Sequence, residues 1–312
     1  MTNKEKNFIS AVIYVHNAEN RIADFLNIIV NVFEEHFEHA EIICVNDSSD
    51  DKSIQIIKEF SLNVSDTSIS IINMSYFHGL ELSMNAGVDM AIGDFVFEFD
   101  NTNLDFSPSL IMEVYYHSLK GFDIVNASPN KREKFTSKLF YNVFNMFSDL
   151  SYKMSTESFR ILSRRVINRV GSMSKTVPYR KAVYANCGLR TDNIYYTVVD
   201  GGYKKLDKKE KRYRSGLAVD SLILFTEFGF RFSLAMTVLM MLMSVFMVAY
   251  SLVTYLIMNP VAGWTTTILF LSIAFLGLFG ILTIVIKYLQ LLIDMVFKRK
   301  QYSFESIEKL TK

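Results

Sequence analysis

From Phe232 to Ile286 the sequence contains no Asp, Glu, Lys, Arg or His, an uncharged run of about 55 residues where about 20 apolar residues suffice to cross a bilayer. Cysteine is almost as scarce. Cys44 and Cys187 are the only two, and their separation matches no metal-ligand or redox spacing, so they read as inert thiols in a reducing compartment. A charge of one sign is also missing: 33 Lys and Arg stand against 32 Asp and Glu, for a formal net charge of +1. The basic residues gather beside the uncharged run rather than forming a separate patch, which argues against a nucleic-acid partner. Met1–Asn7 is polar and charged and the apolar run after it is short, so no secretory signal is read there.

What is present is apolar. Half of the residues are hydrophobic and the mean hydropathy is +0.19. The uncharged run accommodates two membrane spans, 232–257 and 264–290, separated by Met258-Asn259-Pro260-Val261-Ala262-Gly263, a stretch suited to a tight turn. Trp264 fits an interfacial anchor. Lys204, Lys205, Lys208, Lys209, Lys211, Arg212, Arg214 and Arg231 precede the first span, and Lys287, Lys298, Arg299 and Lys300 follow the second. The positive-inside bias therefore puts both flanks in the cytoplasm. A buried helical pair in a soluble core is the alternative, and so long an uncharged run would need a very large domain to cover it. The expected organisation is a cytoplasmic domain over 1–215, an amphipathic juxtamembrane segment over 216–231, the hairpin over 232–290 and a cytoplasmic tail over 291–312.

The first hundred residues alternate between two periods. Residues 8–15 read as a buried strand, 20–36 as a helix, 41–45 as a strand, and 46–51 as turn and N-cap chemistry before a helix carrying Ile54, Ile56, Ile57 and Phe60. A third strand (68–73), a helix (81–92) and a fourth strand (95–99) follow. Such alternation specifies a mostly parallel sheet with helices on both faces, and ligands bind at the carboxyl ends of its strands. Three strands end in polar, mostly acidic loops: His16–Glu19, Asn46–Asp51 and Asp100–Asp105. For any one loop simple solvation suffices; three on one sheet edge suggest a site.

The order of these segments resembles that of the membrane-anchored family 2 glycosyltransferases, among them dolichol-phosphate mannose synthases and bactoprenol-phosphate glucosyltransferases. Val12–Glu19 is similar to the family's V-P-x-Y-N-E strand end, and Val45–Ser53 to V-D-D-G-S-x-D-x-S. Gly79 to Asp94 resembles G-x-x-x-A-x-x-x-G-x-x-x-A-x-G-D. Phe97–Asp100 resembles the strand entering D-x-D, Phe159–Arg165 resembles F-R-L-x-x-R, and Leu222–Arg231 resembles the stretch leading into the anchors.

The resemblance implies a Rossmann-like GT-A domain followed by a two-helix transmembrane hairpin. It implies transfer, with inversion, of a sugar from a nucleotide-sugar donor to a membrane lipid such as polyprenyl phosphate. The implied cofactor is a divalent cation, Mg²⁺ or Mn²⁺, and the implied location is the bacterial inner membrane; homo-oligomers are compatible with this. The nucleotide would be held by Val15, Asn17, Glu19, Asp47 and Asp51. Asp100 would ligate metal, with Asp105 or Glu98 as a further ligand, and Asp100 and Arg160 are the implied catalytic residues. Arg160, Arg164, Arg212 and Arg214 are candidates for a lipid phosphate. A helix N-cap is the alternative for Asp47, and a salt bridge to a carboxylate such as Glu157 the alternative for Arg160.

Several positions depart from the pattern. Thr102 stands where a second Asp is expected, Ser155 and Glu157 where Asp and Gly are expected, and Phe77 where Asn is expected. They keep two other readings open: a degenerate homologue that binds nucleotide or partner proteins without catalysis, and a transferase to a lipid-linked saccharide hydroxyl. The aromatic, helically spaced segment 138–152 is suited either to the membrane interface or to packing on the domain.

Overall fold

A computed structural model describes residues 4–130, 135–147, 154–173, 179–199, 208–225, 264–297 and 302–311, with scattered positions from 229 to 246. The chain divides into two compact units. One comprises Met1–Asn145, Leu150–Leu217 and Arg299–Lys312; the other comprises Met146–Asp149 and Ala218–Lys298.

The first unit is built on an eight-stranded sheet of order β7-β5-β6-β4-β1-β2-β3-β8. The strands are β1 (Ile9–Val15), β2 (Ala40–Asn46), β3 (Ser68–Met74), β4 (Phe95–Phe99), β5 (Ile124–Pro129), β6 (Phe159–Ser163), β7 (Thr191–Tyr196) and β8 (Phe304–Lys309). Parallel ladders join β1 to β2 and β4, β2 to β3, and β5 to β7, while β6 and β8 run against their neighbours. The carboxyl ends of β1, β2, β3 and β4 therefore share one edge, as the alternating pattern predicts.

The helices are α1 (Ile22–His36), α2 (Ser53–Ser61), α3 (Leu80–Met90), α4 (Ser109–Ser118), α5 (Phe135–Phe147), α6 (Arg164–Met173), α7 (Arg180–Asn186), α8 (Lys208–Phe225) and α9 (Trp264–Phe297). One core gathers Phe25, Ile29 and Phe33 of α1, Ile111 and Tyr115 of α4, and Phe97 and Phe99 of β4. Each of these side chains contributes roughly 1.5–3 kcal/mol by leaving water. On the other face α3 packs through Met84, Ala86 and Val88 onto Val12, Ile43 and Val45. That contact needs glycine at position 87, where a Cβ would meet Val12 Cγ1 at 2.3 Å and Val45 Cγ2 at 2.7 Å. Phe144 of α5 is buried whereas Met146 is exposed, so this aromatic helix packs on the domain through one face.

Residues 291–312, read from sequence as a tail, instead continue α9 to Phe297 and then supply β8. Only the tertiary structure specifies that strand. Glu308 pairs with Ile71, and Phe304 with Met74, across more than two hundred residues of chain. Among the described residues no helix is long and apolar enough to cross a membrane. Most of the expected first span and the turn at 258–263 lie outside them. In the second unit α9 is a single helix of 34 residues.

Candidate active site

The loops after β1 and β2 brace each other. Asp47 N–H donates to the Val15 carbonyl at 2.9 Å. Asn17 N–H donates to Ser49 Oγ at 3.1 Å, and Asp50 N–H donates back to Asn17 Oδ1 at 2.9 Å. Glu19 N–H donates to Asp51 Oδ2 at 2.9 Å, and Lys52 N–H to Glu19 Oε2 at 3.1 Å. Among the described residues, Asn17 and Ser48 are the non-glycine residues with positive φ, +48° and +52°. Left-handed backbone of this kind costs energy and persists where surrounding bonds over-determine it. The five residues read as nucleotide ligands are thus brought together on the strand-end edge.

Asp47 is fully buried. It accepts from Tyr14 Oη–H at 2.9 Å, His78 N–H at 2.7 Å and Gly79 N–H at 2.8 Å. Its carboxylate therefore anchors the turn entering α3. The cap before Ser53 falls to Asp51, whose Oδ1 accepts from Ser53 N–H at 3.0 Å. Gly79 is required at that turn: its φ is +83°, and a Cβ there would lie 2.3 Å from Tyr213 Cζ.

Beyond β4 lies a buried cluster of charge. Arg160 Nη1 donates to Glu98 Oε2 at 2.7 Å, and Nη2 donates to Asp100 Oδ2 at 3.3 Å. The same Nη2 stands 3.0 Å from Glu157 Oε2. Arg180 donates from Nε to Glu81 Oε2 at 3.0 Å and from Nη2 to Asp100 Oδ1 at 2.7 Å. Its Nη1 is 2.8 Å from Glu98 Oε1, an ion pair without hydrogen-bond alignment. Tyr184 Oη–H donates to the same oxygen at 2.8 Å, and Lys181 Nζ lies 3.8 Å from Glu157. Three cations thus face four carboxylates in a space from which water is nearly excluded.

Burial would raise the Asp100 carboxyl, but the charges of Arg180, Arg160 and Lys181 outweigh it and hold the group well below the usual carboxylate range. For Arg160, burial opposes the charge and Asp100, Glu157 and Glu98 reverse that effect, leaving the guanidinium raised. Burial pushes the Tyr184 phenol well up, and neighbouring Glu98 adds to it.

Two sequence expectations change here. Arg160 is 1% exposed and its guanidinium is held by carboxylates rather than presented to a lipid phosphate; the salt bridge to Glu157 is the arrangement found. Arg164 is displaced further. Because β6 is antiparallel to β4, Phe159 lies beside Phe99 but Ser163 beside Phe95, and four strand residues span about 13 Å. Arg164 therefore sits toward the opposite sheet edge, with Nη2 donating to the Ala91 carbonyl at 2.8 Å and Nε to the Gly93 carbonyl at 3.0 Å. Of the remaining lipid-phosphate candidates, Arg212 is exposed on α8 and the side chain of Arg214 lies outside the described residues.

Asp105 accepts from Tyr196 Oη–H at 3.0 Å. Among the described residues no group of three His, Cys, Asp or Glu is arranged to hold a metal ion, and both Asp100 oxygens are occupied by guanidinium nitrogens. The donor set in this arrangement does not fit a divalent cation.

Sequence reasoning missed Arg180 and Glu81. The signal available was a buried-type position, Glu81, in the first turn of a helix that follows an obligatory glycine. Its partner 99 residues later has no local signature.

Residues 10–170 match the family described as glycosyl transferase family 2. An uncharacterized glycosyltransferase of Synechocystis is 30% identical over 195 residues, covering 60% of each chain. The match thus spans about three-fifths of that relative's length. The bactoprenol glucosyl transferase of Shigella phage SfV is 26% identical over 278 residues, 86% of this chain and 88% of that one. Mannosyl-3-phosphoglycerate synthase of Rubrobacter xylanophilus shares the fold with a TM-score of 0.52 at 15% identity, covering 69% of this chain and 74% of its own. A Pyrobaculum calidifontis mannosyltransferase solved with GDP-Man and Mn²⁺ does so at 0.50 and 14% identity, over 70% and 63%. With the parallel strand-end loops, the Asp100 strand and this match over more than half of its length, the chain belongs to glycosyltransferase family 2.

Proposed function

We propose that this glycosyltransferase moves a sugar from a nucleotide-sugar donor to a polyprenyl phosphate, with inversion, at the cytoplasmic face of a bacterial inner membrane. The observation that carries the reading is topological. The chain leaves the first unit after Leu217, runs through the uncharged stretch, and returns at Arg299 to add β8 to the same sheet. A membrane crossed in between is crossed an even number of times, which is the property of a hairpin. The phage bactoprenol glucosyl transferase, aligned over 86% of this chain, supports a lipid-carrier acceptor.

In this reading the donor lies over the braced loops after β1 and β2, where Asn17 and Glu19 are half-buried and Asp50 is exposed. An acceptor phosphate arrives already ionised, so the transfer needs no strong general base. A divalent cation would have to take Asp100 from Arg160 and Arg180. Purified protein in detergent, given UDP-glucose or GDP-mannose with undecaprenyl phosphate, is expected to yield a lipid-linked sugar detectable by mass spectrometry. Failure with a panel of such donors would overturn the acceptor assignment.

The engagement of Asp100 and Arg160 with one another, together with Thr102 and Phe77, favours one competing reading: a homologue that binds nucleotide without catalysis. Calorimetry with UDP and GDP beside the transfer assay separates the two, since binding without turnover belongs to the second.

A further inference from the structure

β8 does more than cover a sheet edge. The ladder with β3 ends at Met74 and Phe304, yet contacts continue past it. Ser75 N–H donates to the Ser303 carbonyl at 3.1 Å, and Ser303 N–H donates to His78 Nε2 at 3.1 Å. His78 Nδ1 is 2.6 Å from the Tyr76 carbonyl, so Nδ1 carries the proton and Nε2 is the acceptor. The Tyr76 and His78 rings stack at 4.0 Å. His78 also gives its backbone N–H to Asp47, beside that of Gly79. One residue therefore connects the C-terminal segment to the carboxylate at the end of β2. Around it, Tyr302 Oη–H donates to Asp89 Oδ2 at 2.6 Å, and Lys58 pairs with Glu308 at 2.6 Å.

We propose that the C-terminal segment Tyr302–Thr311 is part of the donor site, with Ser303 and His78 as positioning residues for the turn Ser75–Gly79 and, through it, for Asp47. The inference rests on the reading of the β1 and β2 loops as the donor site. Covering an exposed strand edge requires only the ladder. The Ser303 to His78 bond lies outside that ladder and joins the segment to the turn whose backbone N–H groups hold the Asp47 carboxylate.

Hydrogen exchange on the full chain in detergent tests this locally. His78→Leu removes the acceptor, Ser303→Pro removes the donor, and His78→Gln keeps an acceptor near the Nε2 position. Exchange at the His78 and Gly79 amides should rise about two- to tenfold in the first two variants, the range of one lost hydrogen bond. It should stay near native in His78→Gln, with β1 and β2 unchanged in all three. Calorimetric affinity for UDP or GDP should fall in the same order. Unchanged exchange in both His78→Leu and Ser303→Pro, or equal acceleration in His78→Gln, overturns the proposal. So does native nucleotide affinity in a variant whose turn has lost protection. Native protein that binds neither nucleotide refutes the donor-site reading instead, and the exchange comparison still decides whether the segment holds the turn.

Discussion

Replacing Arg180 by methionine removes a guanidinium while keeping an apolar stem of similar reach. In the native chain this side chain is fully buried and stands 3.0 Å from Glu81, 2.8 Å from Glu98 and 2.7 Å from Asp100. Its loss leaves three buried carboxylates short of a partner, and breaking a buried pair from one side costs about 3–5 kcal/mol. At about 2–4 °C per kcal/mol for a domain of this size, the melting temperature should fall by roughly 6–20 °C. Lys58→Met is the control. Its pair with Glu308 is as short, 2.6 Å, but the side chains are 45% and 35% exposed, and such a pair contributes at most about 1 kcal/mol.

The pH dependence supplies a second, signed readout. Asp100 is depressed in the native chain. Its contribution is therefore fully present above the unfolded carboxyl value of about 3.9 and is lost only as pH falls through that value toward the folded one. Native stability should not change on account of Asp100 between about pH 5 and pH 8. Without Arg180, burial regains weight and moves the carboxyl upward. Proton uptake then relieves the unpaired charge, so the variant should gain stability as pH is lowered across that interval. Thermal unfolding in detergent at a series of pH values measures both effects. A loss no larger than that of Lys58→Met, or a variant whose stability is flat with pH, would refute the view of Arg180 as the hub of the cluster.

Gly79→Ala should cost about 1–3 kcal/mol, because alanine must adopt φ +83° and its Cβ meets the Tyr213 ring, a strain that neighbouring bonds cannot remove; thermal unfolding reads it. The hairpin reading predicts that Asn259→Cys reacts with a membrane-impermeant maleimide from the outer side of intact spheroplasts, whereas Ser306→Cys reacts only after lysis. The background is expected to be low, since Cys44 and Cys187 are buried and burial pushes the Cys44 thiol up to about 12. Labelling of both sites from the same side would remove the hairpin.

Local pattern was enough for the first four strands and three helices, because each is specified by its own period and bounded by its own turn residues. β4 lies over Phe95–Phe99 as the alternation predicts, and β1, β2 and β3 differ from their expected limits by a residue or two. The loops proposed to hold the donor were brought to one edge for the same reason: parallel connectivity puts consecutive strand ends together. β8 was not legible, since a short strand rich in charge is fixed by its partner β3 and not by its own composition. The roles of Arg160, Arg164 and Arg180 were likewise decided by tertiary structure. The direction of β6 sends two arginines of one motif toward opposite edges of the sheet, and Arg180 and Lys181 of α7 complete a charge cluster whose carboxylates and remaining arginine come from α3, β4, β6 and the loops beside those strands. Sequence supplied the charges, and strand direction and burial determined which of them meet.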